Sequence, residues 1–303
     1  MSLSEHISLA FTEDKLKEIL RKEGNYKLKG YQLVDGFSKK GDSYLSEVFR
    51  LRIDGEEPGC CSSTCLNFVV KGLPKNIGRR KTFRSAAFFK NEITFYEDII
   101  PAFEDFQARR SPKKPFIEYP RCYSSFCDGN HDYVALDDLS KYGFVSADRQ
   151  NGMDFEHCRL ALESLGRLHA LSLAMKDQEP ENFAKLSQKS QSMVHSSQTI
   201  STITCLLVME MAGHPTFLFK YDASSGDAGP KVPKEIRIID FQLARCATLA
   251  IDISFFIYSC TTQKLREKHY DDLLKAYHSV VAGCLRTWVQ SLKSFPIRHF
   301  RRK

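Results

Sequence analysis

Three side chains in this sequence have the types and spacing to hold a phosphorylated ligand: Asp240, Lys71 and Glu92. Asp240 closes the run Glu235-Ile236-Arg237-Ile238-Ile239-Asp240-Phe241-Gln242. A short β-branched strand ending in a carboxylate, followed by an aromatic residue, presents a hard oxygen ligand to a magnesium ion and the phosphates it neutralises. The motif is weak alone, because buried strands commonly end in Asp at a turn. Lys71 lies late in the apolar run Cys65-Leu66-Asn67-Phe68-Val69-Val70-Lys71, on the face of Val69 and Leu73. There it either snorkels to water or meets a buried anion. Glu92 falls three or four residues from Phe88, Phe89, Phe95 and Tyr96, on the apolar face of a helix expected from about Phe83 to Phe103. An unpaired carboxylate on that face is costly, and Lys71 is the natural partner. The alternative is that Glu92 reaches solvent at the edge of the face, and periodicity leaves both open. Gly41, in Gly36–Ser43, permits a tight turn and close approach to a phosphate; an ordinary hairpin would use the same residues.

The elements that must position these groups follow from pattern. Residues 12–23 read as a helix, with Thr12 and Asp14 able to cap it, Leu16, Ile19 and Leu20 as its apolar stripe, and Gly24 ending it. Strands are expected near Lys27–Asp35, Tyr44–Ile53 and Cys65–Lys71. Tyr133–Leu139 reads as a strand entering a polar turn, and Asp154 as the cap of a long helix with Cys158, Ala161, Leu162, Leu165 and Leu168 inward. His169 lies near that inward face, where a satisfied structural role is the expectation. Phe217–Asp222 and Ile236–Asp240 read as a hairpin around a Gly/Ser/Pro turn, and 251–288 as mainly helical. Residues 187–201 hold six serines in fifteen positions and read as a linker.

Composition sets outer bounds. With 303 residues, 42% hydrophobic and 27% charged, the chain suits a globular protein of one large domain or two lobes. No apolar run approaches the ~18 residues that span a bilayer, and Met1–His6 lacks the pattern of a secretory signal. The ten cysteines include Cys60, Cys61 and Cys65 but no Cys-x-x-Cys pair, so free thiols in a reducing cytoplasm are expected rather than disulfides or zinc. Of the net charge of +7, Arg298, Arg301, Arg302 and Lys303 supply four. Arg79-Arg80-Lys81 and Arg109-Arg110 with Lys113-Lys114 are further basic clusters. No nucleic-acid motif accompanies them, and solvated loops are the expected reading.

Taken together, several stretches resemble the ecdysteroid kinase-like family, which is related in fold to choline kinases and aminoglycoside phosphotransferases. They are Gly41–Ser46, Val70-Lys71-Gly72-Leu73-Pro74, Phe89–Tyr96 with Glu92, Leu136–Ser140 with Gly143-Phe144, Leu165–Ser172, and Ile239–Gln242. The resemblance covers roughly residues 8–183 and 217–288. It implies an α+β, two-lobed protein-kinase-like fold: a small β-rich N-lobe over 1–137 and a shortened helical C-lobe over 138–303. The Ser-rich 187–201 segment would replace part of the helical lobe, and 289–303 would form a basic tail. It implies transfer of the ATP γ-phosphoryl group to a small hydroxylated apolar substrate, such as an ecdysteroid or xenobiotic alcohol; with the composition above, the expectation is a cytoplasmic monomer with no nucleic-acid or membrane partner. Carried over by motif, Gly41, Asp42, Ser43 and Lys71 would meet the nucleotide and Glu92 would position Lys71. Leu136, Asp137 and Asp138 would line the adenine, Asp240 would bind Mg2+, and Asp252 would lend structural support.

One part of the family pattern is missing. The family carries His-Gly-Asp-x-Trp-x-Asn-Asn directly before a segment like Phe217–Tyr221, with the Asp as catalytic base and the last Asn as a metal ligand. Counting back without gaps, this chain has Met209-Glu210-Met211 and then Pro215-Thr216. Neither residue is present, and the nearest substitutes, Glu210 and His214, lie in no recognisable catalytic loop. The family fold also usually continues beyond residue 288. The expectation is therefore an impaired phosphotransferase, with a non-catalytic nucleotide-binding or interaction protein as the alternative.

Overall fold

The computed structural model describes residues 3–34, 46–59, 63–110, 112, 114–147, 152–190, 204–208, 216–221 and 232–288. The fold is mixed α+β, with an antiparallel sheet in its N-terminal region and mainly helices in its C-terminal region. Two compact units divide it, residues 1–97 with 120–141 and residues 98–119 with 142–303. Among the described residues, no helix is long and apolar enough to cross a membrane.

The N-terminal unit opens with a short helix α1 (Leu3–His6) and α2 (Glu13–Gly24). It continues with strands β1 (Lys27–Val34), β2 (Glu47–Glu56) and β3 (Ser63–Gly72), then helices α3 (Ile77–Thr82) and α4 (Ser85–Thr94). β4 (Cys122–Phe126) and β5 (Tyr133–Asp137) complete a five-stranded sheet of order β1-β2-β3-β5-β4, antiparallel throughout. Alternation builds its core: Leu51 and Ile53, Phe68 and Val70, and Tyr133 and Ala135 share one face, where Leu16, Ile19 and Leu20 of α2 cover them. Asn25, in the left-handed region at φ 60°, ends α2, its N–H donating to the Arg21 carbonyl at 3.0 Å. Gly24 is thus the last helical residue rather than the terminator. At the far end of β3, a Cβ on Gly72 would stand 2.8 Å from the Ile7 carbonyl oxygen. Only a glycine lets the N-terminal segment lie so close to the strand.

The expected helix from Phe83 to Phe103 is interrupted. α4 passes into a π-helical turn at Phe95–Ile99 before α5 (Ile100–Ala108) resumes. Pro101 is the physical reason, since it has no N–H for the preceding turn and its ring crowds an α-helical carbonyl.

In the C-terminal unit, a two-residue strand β6 (Val145–Ser146) precedes the long helix α6 (Phe155–Gln178) and α7 (Pro180–Ser190). Asp154 caps α6, its carboxylate accepting from the His157 N–H at 3.0 Å. β7 (Thr204–Val208) follows, then the hairpin β8 (Phe217–Tyr221) and β9 (Pro233–Ile238), β10 (Arg245–Thr248), α8 (Leu249–Cys260) and α9 (Gln263–Trp288). β6, β8 and β9 form one sheet; β7 and β10 pair in another. The Ser-rich stretch begins inside α7, and its residues 191–201 lie outside those described, as does the 289–303 tail. α6 and α9 pack closely at Gly166, where a Cβ would come within 3.2 Å of the Tyr277 carbonyl oxygen.

A buried polar tie joins three helices. Both ring nitrogens of His169 in α6 are engaged, Nε2 with Asp252 Oδ2 of α8 at 3.1 Å and Nδ1 with Tyr277 Oη of α9 at 2.8 Å. All three residues are buried. Asp252→Leu should lower the free energy of unfolding by about 2–4 kcal/mol, because it leaves a buried imidazole short of a partner. Tyr277→Phe should cost about 1 kcal/mol. Urea unfolding at unchanged m value checks both, and a negligible loss in Asp252→Leu would refute the tie.

Candidate active site

Lys71 is the penultimate residue of β3, opposite Val48 of β2 and Val134 of β5. Phe68 and Val70 face the core under α2, so the alternation sends Lys71 to the other face of the sheet. Glu92 reaches it from α4. Lys71 Nζ donates to Glu92 Oε1 at 2.8 Å, with the lysine side chain 12% exposed and the glutamate side chain 0% exposed. The two alternatives that periodicity left open for Glu92 are thereby decided: the carboxylate is inside, beside fully buried Phe89 and Phe95, and it meets the lysine. The pair fixes an ammonium group at one point on the sheet, with its stem held by strand pairing on both sides.

Leu136 and Asp137 belong to β5, and Asp138 follows it. Leu136 is buried, opposite Val69 and Cys122. The Asp137 N–H donates to the Arg121 carbonyl at 2.8 Å and the Asp138 N–H to the Asn67 carbonyl at 3.0 Å. The Asp138 carboxylate accepts from Ser140 Oγ at 2.7 Å and from the Ser140 N–H at 3.1 Å, and Arg50 Nε lies 3.3 Å away. It therefore acts as a tie where the chain leaves the sheet. Arg50 was not among the expected site residues. The signal was available in β2, whose alternation places Arg50 opposite Val69 on the face that carries Lys71. Gly41, Asp42 and Ser43 lie outside the described residues, as do Glu210 and His214.

Asp240 belongs to the C-terminal unit and sits just past β9, half-buried. Its backbone is left-handed, at φ 66° and ψ 65°, a conformation uncommon for residues other than glycine but accessible to Asp. The Ile239 N–H donates to the Thr216 carbonyl at 2.8 Å, and buried Phe241 and Gln242 anchor the 3-10 turn that follows. The hairpin thus delivers this carboxylate at a fixed, unusual corner, of the kind often held for function.

The match to known families covers both units. Residues 40–214 and 215–289 match the family model of the ecdysteroid kinase-like family, two segments that abut between His214 and Pro215. The chain belongs to the ecdysteroid kinase-like family. No curated protein matches it. The antiparallel N-terminal sheet and helical C-terminal region are consistent with a kinase-like fold, and membership of this family points to kinase-like, small-molecule phosphotransferase chemistry.

Two further observations bear on what an ecdysteroid kinase-like site could hold here. Among the described residues, no three His, Cys, Asp or Glu side chains gather around a common metal position. Magnesium on a nucleotide commonly takes one or two carboxylates and completes its shell with phosphate and water oxygens, a demand that Asp240 fits. Seven cysteines, among them Cys122, Cys158 and Cys246, are free thiols. Burial pushes the thiols of Cys122 and Cys158 up to about 12 and that of Cys246 up to about 11, which suits packing rather than nucleophilic chemistry.

The pair should behave as a coupled unit. Lys71→Met alone strands a buried carboxylate and should cost about 3–5 kcal/mol of stability. The double variant Lys71→Met/Glu92→Leu should recover most of that loss. Additive losses in a double-mutant cycle by urea unfolding would show that the two side chains are independent.

Proposed function

We propose that this chain binds MgATP as an ecdysteroid kinase-like protein and transfers its γ-phosphoryl group to a small hydroxylated apolar acceptor only slowly. The observation that carries the reading is the Lys71–Glu92 pair, 2.8 Å long with the glutamate wholly buried. A strand lysine held by a buried glutamate of a later helix is the arrangement by which kinases orient ATP phosphates. Lys71 would bear on the phosphates, with Gly41, Asp42 and Ser43 closing over them. The main chain of Leu136, Asp137 and Asp138 would border the adenine, and Asp240 would hold the magnesium ion. The metal, when bound, neutralises charge on the transferring group. The acceptor would be an ecdysteroid or a xenobiotic alcohol, met by a cytoplasmic monomer.

Slow turnover follows from the sequence before β8. Met209-Glu210-Met211 and Pro215-Thr216 stand where the family's catalytic Asp and metal-binding Asn belong, and the family match divides between 214 and 215, inside that stretch. Phosphoryl transfer draws on positioning and charge neutralisation, which Lys71 and Asp240 supply in part. The proton of the acceptor hydroxyl has no assigned base, and general-base catalysis is worth roughly 10²–10⁴ in rate. The same stretch favours, as a second reading, a protein that binds the nucleotide and does no chemistry.

Thermal melting with millimolar MgATP should raise the midpoint by a few degrees. Asp240→Asn, or EDTA, should reduce that shift, and Lys71→Met should abolish it relative to its own nucleotide-free midpoint. No shift in the unaltered chain would overturn nucleotide binding. With radiolabelled ATP and a panel of steroid alcohols, turnover should fall at least a hundredfold below the roughly 10 s⁻¹ typical of enzymes. Typical turnover that disappears in Asp240→Ala would overturn the impairment.

A further inference from the structure

Outside the candidate site, the most strongly patterned surface is the segment that follows β3. From Lys75 to Asn91 the chain carries Lys75, Arg79, Arg80, Lys81, Arg84 and Lys90 and no Asp or Glu. This is a larger local excess of positive charge than the C-terminal tail holds.

The structure sorts these residues by role. Arg80 is turned inward, its guanidinium donating to the Pro74 carbonyl and, at 2.8 Å, to the Asn130 carbonyl. It pins α3 to the end of the sheet. Asn76 caps α3, accepting from the Arg79 N–H at 2.9 Å, and α3 itself buries no residue. Lys75, Lys81, Arg84 and Lys90 are exposed. Arg84 occupies the left-handed region at φ 51°, between α3 and α4.

Among these cations stand apolar side chains that the fold leaves in water. Ile77 is 65% exposed and Phe83 is 40% exposed. Leu9, also 65% exposed, lines the same cavity of about 460 Å³ as Lys75 and Ile77. The acids lining that cavity are Glu5 and Asp132. Asp132 is buried, and its Oδ1 accepts the N–H groups of Asp128 and Gly129.

We propose that this face of the N-terminal unit docks on an anionic bilayer surface. Ile77, Phe83 and Leu9 would enter the boundary between headgroups and acyl chains, while Lys75, Lys81, Arg84 and Lys90 pair with acidic headgroups. Isolated exposed apolar residues are ordinary. Ile77 and Phe83 set in an acid-free basic segment, with Leu9 and a single exposed acid, Glu5, on the adjoining cavity, match the pattern of interfacial binding, in which apolar burial and attraction to anionic lipid act together. A nucleic acid would draw on the cations and on aromatic stacking but has no use for Ile77 or Leu9. Surface docking departs from the expectation of no membrane partner, and it requires no spanning segment. The proposal is independent of nucleotide binding.

Co-sedimentation of the full chain with sonicated vesicles tests it. Binding is expected to vesicles of phosphatidylcholine with 30% phosphatidylserine, and not to phosphatidylcholine alone. Lys75→Glu/Lys81→Glu/Arg84→Glu should weaken it at least about tenfold, and 0.5 M NaCl should release the unaltered chain, which guards against misfolding of the variant. Ile77→Ser/Phe83→Ser should weaken it several-fold, whereas replacing Arg298, Arg301, Arg302 and Lys303 by Ser should preserve most of it. The proposal is overturned by absence of binding to the anionic vesicles, or by binding lost with the tail and kept in the charge-reversal variant. It is equally overturned if the Ile77/Phe83 variant binds unchanged and the chain prefers a single-stranded RNA oligonucleotide, which would make the face a nucleic-acid surface.

Discussion

A carboxylate placed among phenylalanines has to be neutralised, and the architecture of the N-terminal unit turns on how this is done. Glu92 is wholly buried, and Lys71 of β3 meets it at 2.8 Å. For the two to meet, β3 must lie between β2 and β5 in one register, since a slip of one residue would send Lys71 to the face covered by α2. α4 must end where it does, and the π-helical turn at Phe95–Ile99 lets the chain pass Pro101 while Glu92 stays inside. Gly72, next to Lys71, allows the Ile7 carbonyl to close over the strand end. Each of these features is local, and each constrains where a single ammonium group stands.

The C-terminal unit solves a different problem, that of holding long helices together around polar groups. Gly166 lets α6 approach α9, and His169 then uses both ring nitrogens to tie α6 to Asp252 and Tyr277. A single residue thereby fixes three helices. Elsewhere in the unit, Asp240 takes a left-handed corner just past the hairpin of β8 and β9. The helical ties and the corner are separate devices.

Much of this was legible in the sequence, for reasons that differ by element. β2 followed from alternation, which one-sided burial enforces, whereas β1, β3 and β5 were legible as strand-like runs, β5 being buried at each of residues 133–136. The cap at Asp154 followed from side-chain chemistry, and the partner of Glu92 from the cost of burying an uncompensated charge. The break in the helix at 95–99 was not anticipated, because the apolar spacing of Phe95, Tyr96, Ile99 and Ile100 reads as continuous while Pro101 acts on the preceding turn. The role of the Asp138 carboxylate was also hidden, since no spacing rule connects residue 138 to Arg50. β7 is not among the expected strands, because a threonine followed by four apolar residues suits a strand or a buried helix equally well. Gly41, Asp42 and Ser43 lie outside the described residues, so their part rests on sequence alone.

The buried pair also bears on whether the chain has kept a use for a nucleotide. An ion pair at this depth is a poor device for stability: replacing such pairs by well-packed apolar residues is often neutral or favourable. Methionine and leucine at positions 71 and 92 would suit the surrounding phenylalanines at least as well. What an apolar pair cannot do is hold a positive charge at a fixed point on the sheet. The lysine and its glutamate are therefore better explained by something that needs the charge than by the fold. Binding a phosphate needs it whether or not turnover follows, because the same ammonium serves the ground state and the transition state. Loss of a catalytic base removes a rate factor and leaves that binding energy in place. A chain with Lys71, Glu92 and Asp240 but without the family's motif before Phe217 is thus physically coherent under the proposed function: these three side chains would hold a nucleotide, while the acceptor's proton would have no assigned base.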